Sequence, residues 1–193
     1  YSLIDARDGQ SYDIALLDDG NVWMTKNLNL GRNSNTMLSY VDTNLPSNQS
    51  FLLDAADTSS RYYNGETNDG YYNGVYYGGY YGWVTTVASY TYTMKDTNRS
   101  TSICPLNWTL PTPAHYAKLI SDASITNYAT ASVAPYNFNN GGYAEISYSN
   151  SNRVLDFRNQ GTIGFYWTAE KKRNLDISTA SQANAYALSS SDF

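Results

Sequence analysis

Histidine, cysteine and basic side chains are scarce in this chain, and their scarcity excludes several classes of protein. Of its 193 residues one is histidine and one is cysteine, so no disulfide can close within the chain and no His- or Cys-rich zinc site can form. The 12 Lys and Arg residues are outnumbered by 17 Asp and Glu residues, and the one basic run, residues 171–173, fits a solvated turn. A net charge of −5 without a basic patch predicts no nucleic-acid partner.

Long apolar runs and catalytic motifs are missing as well. No stretch approaches the roughly 18 consecutive apolar residues that a membrane-spanning helix needs, so we expect no membrane segment in this chain. The serine-rich pieces lack a nucleophile elbow, and no glycine-rich phosphate loop leads from a strand into a helix. His115 has no second histidine to work with and is predicted to be a solvated helix residue. We therefore expect a protein that is not an enzyme and carries no cofactor.

One acidic segment has the spacing of a calcium loop without its full ligand set. Asn64, Glu66 and Asn68 place oxygen donors at alternate positions ahead of Gly70. The twelfth position is Val75, where calcium loops carry a bidentate glutamate. The segment is therefore predicted to be a turn, and no metal site is expected.

Neutral polar residues take the place of charge. Charged residues make up 15% of the chain, against about 25% in ordinary soluble domains, while there are 20 tyrosines. Tyrosine combines a rigid ring with a polar tip, and chains rich in Tyr, Asn, Ser and Gly resemble antibody paratopes and other extracellular recognition surfaces. Tyrosine also suits half-buried strands, so composition alone leaves both roles open for each residue.

The tyrosines are concentrated in residues 61–83, which we call the tyrosine segment. Pairs of tyrosines alternate there with glycines and asparagines, in a pattern too short to be a structural repeat. Glycine permits sharp bends, so we expect irregular loops whose rings line a surface. The predicted binding residues are Tyr71, Tyr72, Tyr76, Tyr77, Tyr80, Tyr81 and Trp83.

Local patterns predict a hairpin near the start of the chain and one clear helix. Residues 12–17 and 22–25 are apolar runs around the turn 18–21, whose Asp-Gly step tolerates positive φ. Thr112 and Pro113 form a helix start. Further strands are predicted at residues 84–94, 144–148, 165–168 and 186–190, whereas residues 31–60 are predicted to be an irregular excursion.

The core is predicted around three tryptophans and one face of the helix. Tyr116, Leu119 and Ile120 follow helical spacing and should face the sheet. We expect them to pack against Trp23, Trp108 and Trp167 in a single core.

Three short motifs resemble the framework of a known family. Residues 5–12 read D-x-R-D-G-x-x-Y, residues 23–28 read W-M-T-K-N-L, and residues 104–112 read C-P-L-N-W-T-L-P-T. Together they resemble the Fibrobacter succinogenes major paralogous domain family. The resemblance implies an α+β, C-type-lectin-like fold with antiparallel sheets, one or two helices and long irregular loops. Residues 1–193 would then form a single domain, with the tyrosine segment as an insertion.

The chain departs from that family at three places. Val22 stands where the family often has a cysteine that could pair with the position of Cys104, so Cys104 is either buried or paired outside the chain, and burial is favoured. Asn107 replaces the usual glycine. Members of that family usually have a closing strand after the strand that matches residues 186–190, and we expect it to be absent here, because the terminus is trimmed or the strand comes from elsewhere. The resulting sheet edge would invite pairing with another chain.

The resemblance and the tyrosine segment together predict an extracellular function at a bacterial cell surface. We expect a surface-displayed binding or adhesion domain that recognises a glycan or a protein through its tyrosine-rich loops. The alternative is a structural subunit of an extracellular filament or pilus-like appendage, in which the partners are copies of the same chain.

Overall fold

The fold is of the α+β class, with antiparallel strand pairs and one substantial helix. It was analysed as a computed structural model, which describes residues 1–30, 36–53, 62–63, 71–72, 75–76, 79–81, 86, 88, 101–125, 128–139, 141–149, 152–161, 163–169 and 185–189. The strands are β1 Ser2–Ile4, β2 Ser11–Leu16, β3 Val22–Met24, β4 Thr36–Ser39, β5 Ser50–Leu53, β6 Tyr62–Tyr63, β7 Tyr71–Tyr72, β8 Val75–Tyr76, β9 Tyr80–Tyr81, β10 Tyr143–Ser149, β11 Asn152–Arg158, β12 Ile163–Trp167 and β13 Ala185–Ser189. The helices are α1 Pro113–Asp122 and α2 Tyr128–Ala131.

The first sheet has the order β1-β2-β3 and contains the predicted hairpin. Leu17 donates its N–H to the carbonyl of Asn21 at 3.0 Å, and Gly20 donates to the carbonyl of Leu17 at 2.9 Å. Gly20 has φ of +82°, as required of the residue that closes a three-residue hairpin loop. The Asp-Gly step was therefore a correct hairpin signal, and the prediction over residues 12–25 is confirmed.

The remaining described strands form antiparallel pairs. β4 pairs with β5, which corrects the prediction that residues 31–60 are irregular throughout. β10 pairs with β11 over seven residues, and β12 pairs with β13 over five, in agreement with the strands predicted at 144–148, 165–168 and 186–190. The sequence reading missed β11. The strand predicted at 84–94 is wrong at Thr86, which is helical, and at Ala88, which lies in a turn with φ of +47°; the rest of that range lies outside the described residues.

Helix α1 begins as the sequence predicts. The Thr112 hydroxyl accepts the N–H of His115 at 3.2 Å, and the His115 ring nitrogen Nδ1 accepts the N–H of Thr112 at 3.2 Å. This reciprocal capping box satisfies two N–H groups that a helix start leaves without partners, and caps of this kind contribute about 1 kcal/mol. Pro113 occupies the first turn, where its missing N–H costs nothing.

Two clusters of buried apolar side chains lie in the described part of the chain. One contains Leu17, Trp23, Tyr116 and Leu119, with Phe138 and Tyr166 packed against it. The ring centroid of Trp23 lies 5.3 Å from that of Tyr116, so the predicted contact between Trp23 and the helix is confirmed. The other cluster consists of Leu30, Leu38, Phe51, Ala88 and Ile103.

The prediction that all three tryptophans share one core is wrong. Trp108 and Trp167 are half-buried and belong to neither cluster, and Ile120 on the helix is half-buried as well. The indole N–H of Trp167 donates to the carbonyl of Tyr81 at 2.6 Å. A half-buried tryptophan can hold a neighbouring segment through its indole N–H as well as bury its apolar ring. The residue type alone does not tell which of these two roles it has.

The first of the three motifs contacts residues that directly adjoin the other two. Nη1 of Arg7 donates to the carbonyl of Ile103 at 2.7 Å, which joins the first motif to the residue directly before the third. The Tyr12 hydroxyl accepts the N–H of Asn29 at 3.1 Å, which joins the first motif to the residue directly after the second. Burial raises the pKa of that hydroxyl. Asn107 has φ of +69°, a conformation that glycine and asparagine tolerate best.

Cys104 is half-buried, so the prediction that it is buried is confirmed only in part; burial of the thiol itself raises its pKa. Its N–H donates to the Ser102 hydroxyl at 3.2 Å. The thiol therefore stays protonated to higher pH than an exposed thiol, as expected of a cysteine that packs as a small apolar side chain.

Within the described residues, none of the helices has the length and apolar character needed to cross a membrane.

Candidate functional site

The described parts of the tyrosine segment are four very short strands that pair in two nested ladders. β6 pairs with β9, which puts Tyr62 opposite Tyr81 and Tyr63 opposite Tyr80. β7 pairs with β8, which puts Tyr71 opposite Tyr76 and Tyr72 opposite Val75. The segment therefore folds back on itself, and tyrosine is the cross-strand neighbour of tyrosine in three of these four pairs.

The end of this segment is fastened to the rest of the fold by hydrogen bonds. The Tyr81 hydroxyl donates to the carbonyl of Leu30 at 2.8 Å, and the N–H of Gly79 donates to the carbonyl of Leu28 at 3.2 Å. The carbonyl of Tyr81 accepts the indole N–H of Trp167. The half-buried ring of Tyr81 packs against the cluster around Leu30. Because β9 is fixed in this way, the ladder with β6 has a defined attachment to the framework.

Gly79 is needed where the chain passes close to the Tyr81 side chain. A Cβ atom at Gly79 would lie 2.9 Å from the Tyr81 hydroxyl oxygen and 3.0 Å from the ring atom Cζ. The hydroxyl is held by its hydrogen bond to Leu30, so the ring cannot swing away without losing that bond. The glycine thus permits the close approach on which the attachment depends.

The structure places the predicted binding residues as follows. Tyr81 lies at the attachment point, with its hydroxyl engaged inside the chain. The backbones of the other described members lie in strands of the two ladders: Tyr71, Tyr72, Tyr76 and Tyr80. Tyr77 and Trp83 lie outside the described residues. The ladders bring the backbones of the described members into one folded segment.

The other residues that the sequence offered as possible catalytic, metal-binding or basic sites either have a structural role or lie outside the described residues. His115 caps helix α1 and is exposed, so its Nδ1 already has a structural role. The acidic loop around Glu66 and the basic run 171–173 lie outside the described residues. Among the residues that the structure does describe, no three His, Cys, Asp or Glu side chains are grouped as metal ligands would be.

Sequence reasoning missed the residues that hold the tyrosine segment in place. Leu28 and Leu30 contribute backbone carbonyls, which carry no signal in side-chain patterns. Trp167 was predicted as core, and its indole donor is instead used to bind β9. The spacing of glycine before a tyrosine pair, as at residues 79–81, is the one local signal that points to this arrangement.

Comparison of the chain with known protein families, with curated proteins and with solved structures finds no match.

Proposed function

We propose that this protein is an extracellular domain displayed at a bacterial cell surface, where it binds a glycan or a protein through the tyrosine segment. We further propose that its α+β fold is C-type-lectin-like, that it acts by binding rather than catalysis, and that nucleic acid is not among its partners. The observation that carries the proposal is the folded tyrosine segment, in which tyrosine opposes tyrosine on a backbone fastened to the framework at Tyr81.

Tyrosine is suited to recognition because its ring gives a large contact area at small entropic cost. Aromatic rings stack on the apolar faces of sugars and dominate the energetics of protein interfaces, while the hydroxyl donates and accepts hydrogen bonds. A loop that is already folded loses less conformational entropy when it binds than a free loop does. The two ladders and the hydrogen bonds at residues 79–81 supply that order.

Support for the C-type-lectin-like fold comes from a contact between the first family motif and the residue that adjoins the third. Arg7 of the first motif binds the carbonyl of Ile103, directly before the third. Asn107 takes a positive φ at the position where the family has glycine. The first and third motifs lie far apart in the sequence, and this hydrogen bond from Arg7 gives a structural reason why both occur in one chain.

The binding proposal is tested on an array of glycans with the purified full chain. The informative variant is Tyr71→Ser, Tyr72→Ser and Tyr76→Ser combined, which spares Tyr81 because that hydroxyl holds the segment in place. The matched control is Tyr40→Ser, an exposed tyrosine outside the segment. We expect the triple variant to lose binding by at least about tenfold, and Tyr40→Ser to bind as the parent does.

Two outcomes would contradict the proposal. Binding that survives in the folded triple variant would move the binding surface elsewhere. Failure of the parent to bind any glycan, together with failure to bind intact bacterial or host cells, would remove the adhesion function itself. Circular dichroism of each variant separates a lost surface from a lost fold.

A second candidate is a subunit of an extracellular filament. The observation that favours it is the number of large apolar side chains left in solvent, among them Ile4, Leu16, Val22 and Val41. Exposed apolar side chains favour association between copies when they are contiguous. Electron microscopy of purified material decides between the two: regular fibres support a filament subunit, and separate particles support a binding domain.

A further inference from the structure

One face of the ladder β6-β9 is turned to the core by Tyr81. The half-buried Tyr81 ring packs against the cluster around Leu30, and its hydroxyl donates to the Leu30 carbonyl at 2.8 Å. Tyr62 is the cross-strand partner of Tyr81 and therefore belongs to the same face. Successive residues of a strand alternate between faces, so Tyr63 and Tyr80 lie at positions on the opposite face. We call this the far face of the ladder.

Hydrogen bonds to the framework also indicate which pair of this ladder exchanges its backbone groups. The N–H of Gly79 and the carbonyl of Tyr81 both bind framework groups, at 3.2 Å and 2.6 Å. Residues two apart in an extended strand turn their peptide groups to the same edge, so these groups lie on the edge of β9 away from β6. The intervening Tyr80 therefore forms the hydrogen-bonded pair with Tyr63, with Cα atoms about 5.5 Å apart. Because that pairing uses backbone groups, a change of either side chain leaves its donors and acceptors in place.

The composition of the tyrosine segment favours a glycan over a protein as its ligand. Within residues 61–83 Val75 is the only aliphatic residue, whereas eight tyrosines and three asparagines supply neutral groups that donate and accept hydrogen bonds. A protein partner needs an interface with an apolar core and about 20–30 residues on each side. A glycan needs less: aromatic rings for the apolar face of a sugar, and neutral polar groups for its hydroxyls.

Charge favours an uncharged glycan over an anionic one. The segment has one basic residue, Arg61, and two acidic residues, Glu66 and Asp69, and the whole chain carries a net charge of −5. Repulsion between like charges therefore opposes the binding of carboxylated or sulfated sugars. The framework groups bound at residues 79–81 are two carbonyls and an indole N–H, which are uncharged as well.

We propose that the far face of the ladder, with Tyr63 and Tyr80 as a directly opposed pair, binds an uncharged glycan by stacking of aromatic rings on sugar rings. This inference rests on the proposed binding function, and it names the ligand class and the face of the ladder. It adds Tyr63 to the binding residues, beside those of β7 and β8. It also assigns Tyr81, on the face turned to the core, to positioning the ladder.

The test is binding of the full chain to an array that holds uncharged gluco-, manno-, xylo- and galacto-glycans together with anionic glycans. Tyr63→Thr combined with Tyr80→Thr removes both rings and keeps residues that suit strands. Phenylalanine at both positions keeps the rings and removes the hydroxyls. Tyr62→Thr removes a ring from the other face of the same strand. The matched control is Tyr40→Thr, an exposed tyrosine outside the segment.

We expect the parent to bind at least one uncharged glycan, with an affinity that added salt leaves unchanged because no ion pair is involved. The double threonine variant should weaken binding by at least about tenfold, and the double phenylalanine variant by less than about threefold. The loss in Tyr62→Thr should be smaller than the loss in the double threonine variant by at least about fivefold. Tyr40→Thr should bind as the parent does.

Several outcomes would overturn this inference and leave the proposed binding function in place. They are stronger binding to anionic than to uncharged glycans, binding to cells but to no glycan, undiminished binding by the folded double threonine variant, and an equal loss in Tyr62→Thr. A parent that binds neither glycans nor cells overturns the proposed function as well. Near-ultraviolet circular dichroism checks each fold. If the double threonine variant fails to fold, Tyr63→Thr and Tyr80→Thr are measured singly, each against phenylalanine at the same position, and they decide.

Discussion

The guanidinium of Arg7 binds both carboxylate oxygens of Asp5, with Nε 2.8 Å from Oδ1 and Nη2 2.6 Å from Oδ2. The side chains are 3% and 1% exposed, so this ion pair is removed from water. The remaining terminal nitrogen, Nη1, donates to the Thr43 hydroxyl at 2.9 Å and to the carbonyl of Ile103. One arginine thus holds together three segments that lie far apart in the sequence.

Removal of either partner of this pair should destabilise the fold strongly. We expect Arg7→Ala to lower the free energy of unfolding by about 3–5 kcal/mol, because it leaves the Asp5 carboxylate buried without its counterion. The combined variant Asp5→Ala, Arg7→Ala should lose less than the sum of the two single losses, since no lone charge remains. Urea denaturation measures all three.

The control for that cycle is Lys26→Ala, which removes a positive charge from an exposed site. It should change the free energy of unfolding by less than about 0.5 kcal/mol. An Arg7→Ala variant that unfolds like Lys26→Ala would show that the buried pair contributes little, and that the contacts to Thr43 and Ile103 are incidental.

Local signals in the sequence were sufficient for local structure. The hairpin at Gly20 and the cap at Thr112 each depend on residues within about five positions, and both were predicted correctly. The packing of Trp23 against Tyr116 followed from helical spacing and from the size of the indole. The α+β class with antiparallel sheets was expected from the family resemblance, and the structure has that class.

Long-range partners could not be read in the same way. Nothing near Arg7 in the sequence indicates that its guanidinium reaches the carbonyl of Ile103, and a backbone acceptor leaves no trace in residue type. The half-buried position of Trp108 and the hydrogen bond from Tyr81 to the Leu30 carbonyl could not be predicted either, because both depend on residues far away in the sequence. β4 and β5 were missed because turn-forming residues around Pro46 outnumber the apolar residues that pair.

Asp19 couples stability to pH through the indole of Trp23. Its carboxylate accepts the Trp23 Nε1–H at 3.0 Å and the Asn21 side-chain amide at 2.8 Å. Burial alone would raise the pKa of Asp19, but the hydrogen bonds from Asn21 and Trp23, with the charge of Lys118, outweigh it and lower the pKa. A carboxyl whose pKa is lower in the folded protein stabilises the fold above its unfolded pKa.

That stabilisation should be lost as pH falls through the folded pKa of Asp19, below its usual value near 3.8. Asp19→Asn should lower the free energy of unfolding at neutral pH by about 1–3 kcal/mol and flatten the acid limb of the stability curve. Asp13→Asn, at an exposed position of β2, is the control. The Trp23 indole N–H resonance reports the event directly; if it does not move as Asp19 titrates, the coupling is absent.

Truncation of the tryptophans should separate the buried one from a half-buried one. Trp23 is 8% exposed and contacts the rings of Tyr116 and Phe138, so Trp23→Ala should cost about 3–5 kcal/mol. Trp108 takes part in hydrogen bonds through its backbone, which alanine retains, and Trp108→Ala should cost about 1–2 kcal/mol. Thermal or urea unfolding measures the difference, and equal losses would show that Trp108 is as much a core residue as Trp23.

Tyr81 should hold the tyrosine segment through its hydroxyl as well as its ring. Tyr81→Phe keeps the ring but removes the donor to the Leu30 carbonyl, and we expect it to lower the free energy of unfolding by about 1 kcal/mol. Gly79→Ala should have a similar effect, because its Cβ would approach the Tyr81 hydroxyl oxygen to 2.9 Å. Tyr40→Phe, which changes an exposed hydroxyl, is the matched control and should be neutral.

Hydrogen exchange distinguishes local loosening from general destabilisation. The Gly79 amide donates to the Leu28 carbonyl beside the Tyr81 contact, so its exchange should accelerate by about fivefold in Tyr81→Phe if that contact holds the segment. The Leu17 amide, in the hairpin of the first sheet, should keep its parent rate under conditions where exchange occurs by local opening. If both amides respond equally, or if Tyr81→Phe behaves like Tyr40→Phe, the hydroxyl does not anchor the segment, and its attachment depends on the Trp167 indole and the packing of the Tyr81 ring.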